Sequence, residues 1–328
     1  MWGNRRGWTI SAAIALVAGG LLALLVRAPG LSRATMFSAD PRNFQTLMMP
    51  EVPDASFSAK PRAADDASAL YHEAIELYLA DRALYDDFAA LGTLDSPRVK
   101  RLKAIDKLVE ASGSATAVIF ADRPQQVVNY DPDRPPIDAL RSLGRVLVDR
   151  LALLNQRSGR AGEATKYAEA AFTLGQHLCR ERVCWAELEV GLELLGTSTA
   201  ILIRLAESSG DADRAAALKA FDQRRLEFVK ERIKPTLRIV RSIDPKVVGV
   251  HAGDVFELAR RSQERMWRVE AILGLGRLRF FAGQSATVSD QREATRAVTE
   301  MAESETDPII RAAAAAARDL TVEKHRMQ

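Results

Sequence analysis

The sequence predicts an all-α protein, in which an N-terminal transmembrane helix is followed by an array of helical hairpins. Three observations carry that expectation. Residues 8–26 hold no charged side chain. From residue 64 onward, apolar positions recur at spacings of three and four, the period of a helix with one buried face. No sustained alternation of apolar and polar residues marks a strand, short pieces such as Val247-Val248 aside.

The anchor comes first. Its 19 or so residues at about 1.5 Å each span roughly 28 Å, close to the hydrocarbon thickness of a bilayer. Arg5 and Arg6 precede it and Arg27 and Arg33 follow, so charge bias sets the orientation only slightly. A cleaved signal peptide is the rival, with Val26-Arg27-Ala28 as its cleavage site. Pro29 and the length of the apolar run favour an uncleaved signal anchor over residues 1–27, with the N-terminus cytoplasmic and the helical domain on the far side. Residues 28–63 contain Pro29, Pro41, Pro50, Pro53 and Pro61 and no period, which predicts a stalk.

The helical domain is expected over residues 64–328. Leu70, Ala74, Leu77, Leu84 and Phe88 step along one helical face, and Tyr71, Tyr78 and Tyr85 recur every seven residues beside it. Those tyrosines have two readings: rings packed on the next helix, or an exposed stripe that contacts a partner. Ser96-Pro97 reads as a helix start, with a basic outer face from Arg98 to Lys107 that solvation suffices to explain. Four prolines make residues 122–136 a connecting loop.

The clearest signal is the hairpin from Ile137 to Ala206. Ile137, Leu140, Leu143, Leu147, Leu151 and Leu154 form one stripe, Ser158-Gly159-Arg160 breaks it, and Ala164, Ala168, Ala171, Leu174 and Leu178 form the next. A charge-free run from Leu194 to Ile203 is too short to span a bilayer and belongs in the core; Gly191 and Gly196 leave room there for a neighbouring backbone. Asp211 is placed to cap the next helix, whose pattern falters near Arg225 and predicts a bend or a buried side-chain stem. One long curved helix is expected from Asp254 to Phe280, another capped by Ser289, and a last one opened by Asp307-Pro308.

Composition narrows function. Lys and Arg total 46 against 43 Asp and Glu, a net charge of +3, too small an excess to suggest nucleic acid as a partner. Two cysteines, Cys179 and Cys184, make neither a disulfide scaffold nor a zinc site. If a turn separates them in an oxidising compartment they can bridge; if one helix runs through both, they point apart. His177 falls with Lys166 and Thr173 on a polar face and reads as solvated. Glu187 and Glu193 read as a carboxylate pair for acid and base work or, more simply, as surface groups paired with arginines. No phosphate loop, nucleophile elbow, metal motif or haem motif is present in the sequence, and no cofactor is expected.

Leu151, Gly159, Ala164 and Ala171 match the tetratricopeptide pattern at its leucine, turn and alanine positions, and the middle of the chain resembles that repeat family in a degenerate form. Val148 and Asn155 depart from its aromatic positions, and the turn glycines Gly159 and Gly210 lie about 51 residues apart where about 34 is regular. The stretches from Arg268 to Leu278 and from Ile310 to Leu320 are similar to HEAT-type helices. The resemblance implies an α-solenoid that binds other proteins and brings no catalytic residues. The function expected is therefore a membrane-anchored, noncatalytic scaffold for a protein partner, with Tyr71, Tyr78 and Tyr85 as contacts. The alternative is an enzyme or ligand sensor with its site in a groove between helices.

Overall fold

A computed structural model describes residues 63–91, 99–121, 135–234, 252–280 and 287–320. The expected anchor (residues 8–26), the stalk before residue 63, Ser96-Pro97, most of the loop at 122–136 and Pro235 lie outside the described residues. Among the described residues no helix is long and apolar enough to cross a membrane.

The described chain is all-α but for one short strand pair. Strand β1 (Ala63–Asp66) lies parallel to β2 (Ser114–Thr116), with Ala63 opposite Ser114 and Asp66 opposite Thr116. β1 does not alternate in polarity and β2 is only three residues long, so only docking of the segments against each other reveals them. Between them run α1 (Ser68–Ala80), α2 (Arg82–Leu91) and α3 (Lys103–Ala111). Helix α1 packs chiefly on α3, and the break at Asp81 separates it from α2.

The central hairpin forms as the sequence predicts. Helix α4 (Pro135–Arg145) continues through a π-helical stretch (Val146–Ala152) into α5 (Leu153–Arg157), and Gly159 turns the chain at φ 72°. That left-handed conformation is one glycine adopts without steric cost. Helix α6 (Ala161–Glu181) follows, then α7 (Trp185–Ser209), whose end is closed by Gly210 at φ 78°. Asp211 accepts the N–H of Arg214 and caps α8 (Ala212–Phe228), which runs on through a π-helical turn (Val229–Ile233). The irregularity at Arg225 is resolved as a buried stem: its guanidinium lies over Gly196 and binds Asp222.

Helices α6 and α7 make the most extensive contact among the described residues. Their closest approach is at Gly175 and Gly191, where a Cβ on Gly191 would meet Cys179 Sγ at 2.7 Å and the Gly175 carbonyl at 2.9 Å. All three obstacles, the third being the Cys179 backbone N at 3.1 Å, are main chain or a buried sulfur, which cannot step aside. We therefore expect Gly191→Ala to destabilise by about 1–3 kcal/mol, although alanine favours a helix by about 1 kcal/mol. Gly162, also helical, has nothing within 4 Å of a Cβ, and Gly162→Ala should be neutral or stabilising. Urea midpoints of the two variants should move in opposite directions; a Gly191→Ala midpoint at or above wild type would contradict this packing.

The C-terminal part differs from expectation in two places. The long helix from Asp254 to Phe280 is two helices, α9 (Ala252–Arg261) and α10 (Arg265–Leu278). Ser262 causes the break, because its hydroxyl accepts the N–H of Glu264 and so stabilises a turn in place of helix. Helix α11 (Val288–Ser304) is capped by Thr287, in a capping box with Asp290, and not by Ser289. Asp307 caps α12 (Pro308–Arg318) as predicted, its carboxylate accepting the N–H groups of Ile309 and Ile310. The alanines of α12 let it pack closely on α10 and α11.

Candidate functional site at the turn between α6 and α7

The turn Arg182-Val183-Cys184 is where the three parts of the fold meet. Glu181, the last residue of α6, accepts three successive backbone N–H groups, from Ile119 at 2.7 Å, Phe120 at 2.7 Å and Ala121 at 2.6 Å. One carboxylate thus fastens the segment after β2 to the hairpin. On the other side, Trp185 stacks on Trp267 with ring centres 6.2 Å apart, and the backbone N–H of Trp185 donates to Glu270. The N-terminal helices, the hairpin and α10 are held together here by groups far apart in sequence.

Arg182 lies at φ 34°, the one non-glycine residue with positive φ among the described residues. It closes α6 by donating its backbone N–H to Leu178, a position where glycine usually sits. A left-handed arginine costs roughly 1–2 kcal/mol. What the side chain does there is fork onto Glu264, Nε to Oε2 at 3.1 Å and Nη2 to Oε1 at 3.2 Å, with 17% and 7% of the two side chains exposed. A paired, mostly buried guanidinium is strongly held, since removing either partner would strand the other's charge.

Beside this pair opens a cleft of about 570 Å³. Arg180, Glu181 and Arg182 form one wall, Ser262 to Arg265 with Arg268 the second, and Asp307 with Ile310 close it. Arg265 pairs with Asp307 at 2.9 Å, and Arg268 reaches Glu305 at 2.5 Å and the Ala259 carbonyl at 3.0 Å. Burial pushes the Asp307 carboxyl up, but the N–H groups of Ile309 and Ile310 and then Arg265 overcome it and hold it below the usual range. Glu305 is likewise held low, by Arg268 and the N–H groups of Asp307 and Thr306 against the effect of burial.

Behind Glu181 lies a second carboxyl. Glu187 is fully buried, and its Oε2 accepts the Val183 N–H at 2.5 Å. Burial first, and then the charge of Glu181, push its pKa well above the ordinary 4.5, against the N–H groups of Val183 and Cys184. Its Oε1 is buried and receives no donor. Burial and the neighbouring Glu181 charge thus both favour the protonated form of Glu187. Burial likewise pushes the Cys179 thiol up, which disfavours its thiolate.

No protein-family model, curated protein or solved structure matches this chain.

The tyrosines expected at the surface are core. Tyr71 is 0% exposed, and Tyr78 and Tyr85 are each 2%. Each hydroxyl has a partner: Tyr71 shares a 2.8 Å hydrogen bond with His177 Nδ1, Tyr78 donates to Asp86, and Tyr85 accepts the Ala104 N–H. A satisfied phenol can be buried whole, which is why this stripe and not the adjacent Leu70, Leu77 and Leu84 faces inward. They form no exposed stripe. His177, expected in solvent, is buried for the same reason.

A turn does separate Cys179 from Cys184, but no disulfide joins them in this structure. Cys179 Sγ fills the gap that Gly191 leaves on α7, while Cys184 stands in extended conformation at the start of that helix. Glu193 pairs with Arg141 and Arg145 at the surface, as the simpler reading had it. Glu187 does not join it, and its partner is Glu181. Sequence reasoning missed Glu181, Arg182 and Glu264. A charged triplet Arg180-Glu181-Arg182 at a helix end was visible, but its partners lie about 60 and 80 residues away.

Proposed function

We propose that this chain is a membrane-tethered, noncatalytic helical scaffold that receives a partner protein in the cleft beside the α6–α7 turn. In this reading residues 8–26 are the tether, the N-terminus is cytoplasmic, and the helical hairpins form a tetratricopeptide- and HEAT-like array on the far side. The carrying observation is the character of the cleft. Small-molecule sites are lined mostly by apolar and aromatic side chains; here Ile310 alone among the ten lining residues is apolar. Glu181, Glu264 and Asp307 pin the walls before any partner arrives, which lowers the ordering cost of association. The polar, prearranged surface suits the backbone and side chains of another polypeptide.

A photo-crosslinker at Gln263 in the cleft, compared with one at the exposed Asp213 on α8, tests the proposal in native membranes. Capture of one defined protein from position 263 and not from 213 is the expected result. Equal capture from both sites, or turnover of a small molecule by the purified domain, overturns the scaffold reading. Release of the full chain from membranes by carbonate overturns the tether.

A further inference from the structure

The four arginines of the cleft do not spend all their donors on the fold. Arg182 uses Nε and Nη2 on Glu264, and Arg268 uses Nε and Nη2 on Ala259 and Glu305. Among the described residues Arg265 uses only Nε, on Asp307, and Arg180 only Nη1, on the Ala115 carbonyl. Arg180 has no carboxylate partner among the described residues. Guanidinium N–H groups therefore remain along both walls, in a fork geometry suited to oxyanions.

Resting on the scaffold reading, we infer that the cleft selects an acidic segment of its partner, whose side-chain carboxylates bind the remaining N–H groups of Arg180, Arg182, Arg265 and Arg268. Three features support it. Of the four lining arginines, Arg182, Arg265 and Arg268 are each bound to one carboxylate, while Arg180 has no carboxylate on its guanidinium among the described residues. Carboxylates beside the arginines oppose a dense phosphate dianion but leave room for single carboxylates spaced along a chain. Arg182 occupies a left-handed position where glycine would be unstrained, so its guanidinium is held in the wall at a conformational cost.

The internal pairs give the test two opposite signs. A fluorescent hexapeptide of Asp and Glu is titrated into the full chain in detergent, beside its Asn and Gln isostere and inorganic phosphate. The acidic peptide should bind, more weakly as salt is raised, and the isostere should not. Arg265→Gln should weaken binding about tenfold, the value of one charge-assisted contact. Asp307→Asn should tighten it several-fold, because asparagine still caps α12 while freeing Arg265 from its internal carboxylate. Circular dichroism confirms that each variant is folded. Equal binding of the isostere, phosphate binding in place of the peptide, or no response to either variant overturns the inference. If Gln263 still crosslinks a partner while the acidic peptide fails to bind, the carboxylate preference falls and the scaffold stands. If no partner crosslinks there, the scaffold reading falls, and with it the acidic segment as the partner's part.

Discussion

Replacing Tyr71, Tyr78 and Tyr85 together with alanine is expected to unfold the protein. Each ring is buried, and truncating a buried aromatic costs about 3–5 kcal/mol. The three sum to roughly 9–15 kcal/mol, against a total stability of about 5–15 kcal/mol for a typical domain. Tyr78 and Tyr85 touch, with ring centres 5.5 Å apart, so their losses overlap and the sum is an upper figure. Loss of the hydroxyls adds to it by stranding the Ala104 N–H and removing the partner from His177 Nδ1. Tyr71→Phe keeps the ring and removes only the hydrogen bond, so it should cost about 1–3 kcal/mol and leave a cooperative melt. Thermal melts followed by circular dichroism separate these outcomes. A triple variant that melts like wild type would return the stripe to the surface.

Glu187 should make the protein less stable as pH rises. Its carboxyl titrates higher in the folded state than in the unfolded chain, so between those two values the folded state holds the extra proton. Stability from this group is complete below about pH 4.5 and is lost at about 1.4 kcal/mol per pH unit until Glu187 itself ionises. Glu187→Gln replaces the retained proton with an amide N–H that can still donate to Glu181, and it has nothing to titrate. The variant should therefore gain on wild type as pH rises above about 4.5, until Glu187 itself ionises. Melting temperatures of both proteins across that range are the measurement. Parallel curves would mean that Glu187 is not the proton-holding member of the pair. Once Glu187 ionises, its charge opposes Glu181, so the three N–H bonds from residues 119–121 should be the first contacts to loosen, visible as faster amide exchange there.

Much of the helical framework was legible because it rests on local rules. The breaks at Gly159 and Gly210, the caps at Asp211 and Asp307, and the leucine stripe of α4 and α5 each follow from a residue and its near neighbours. The close approach at Gly191 was legible too, since a glycine inside an apolar helix already implies a neighbouring backbone. What failed were choices between two faces. Tyr71, Ala74, Ile75 and Tyr78 keep helical spacing as well as Leu70, Ala74 and Leu77 do, and spacing alone does not rank them. His177 and Glu187 were placed in solvent because polar residues usually are; both are buried, with Tyr71 bonded to His177 Nδ1 and the Val183 N–H donating to Glu187.

The amino-acid sequence by itself determined that this chain is helical, where most of its helices begin and end, and that 8–26 is apolar enough to be read as a membrane span. Periodicity, capping and glycine conformation act over a few residues and can be read along the chain. Only the tertiary structure decided which stripe of α1 is core, that Ser262 splits the expected long helix, and that β1 meets β2. It also decided that Arg182, Glu264, Arg265 and Asp307 share one cleft. Those outcomes depend on partners tens of residues away, whose charges and hydrogen bonds compete with local preference and, at Arg182, prevail over backbone strain.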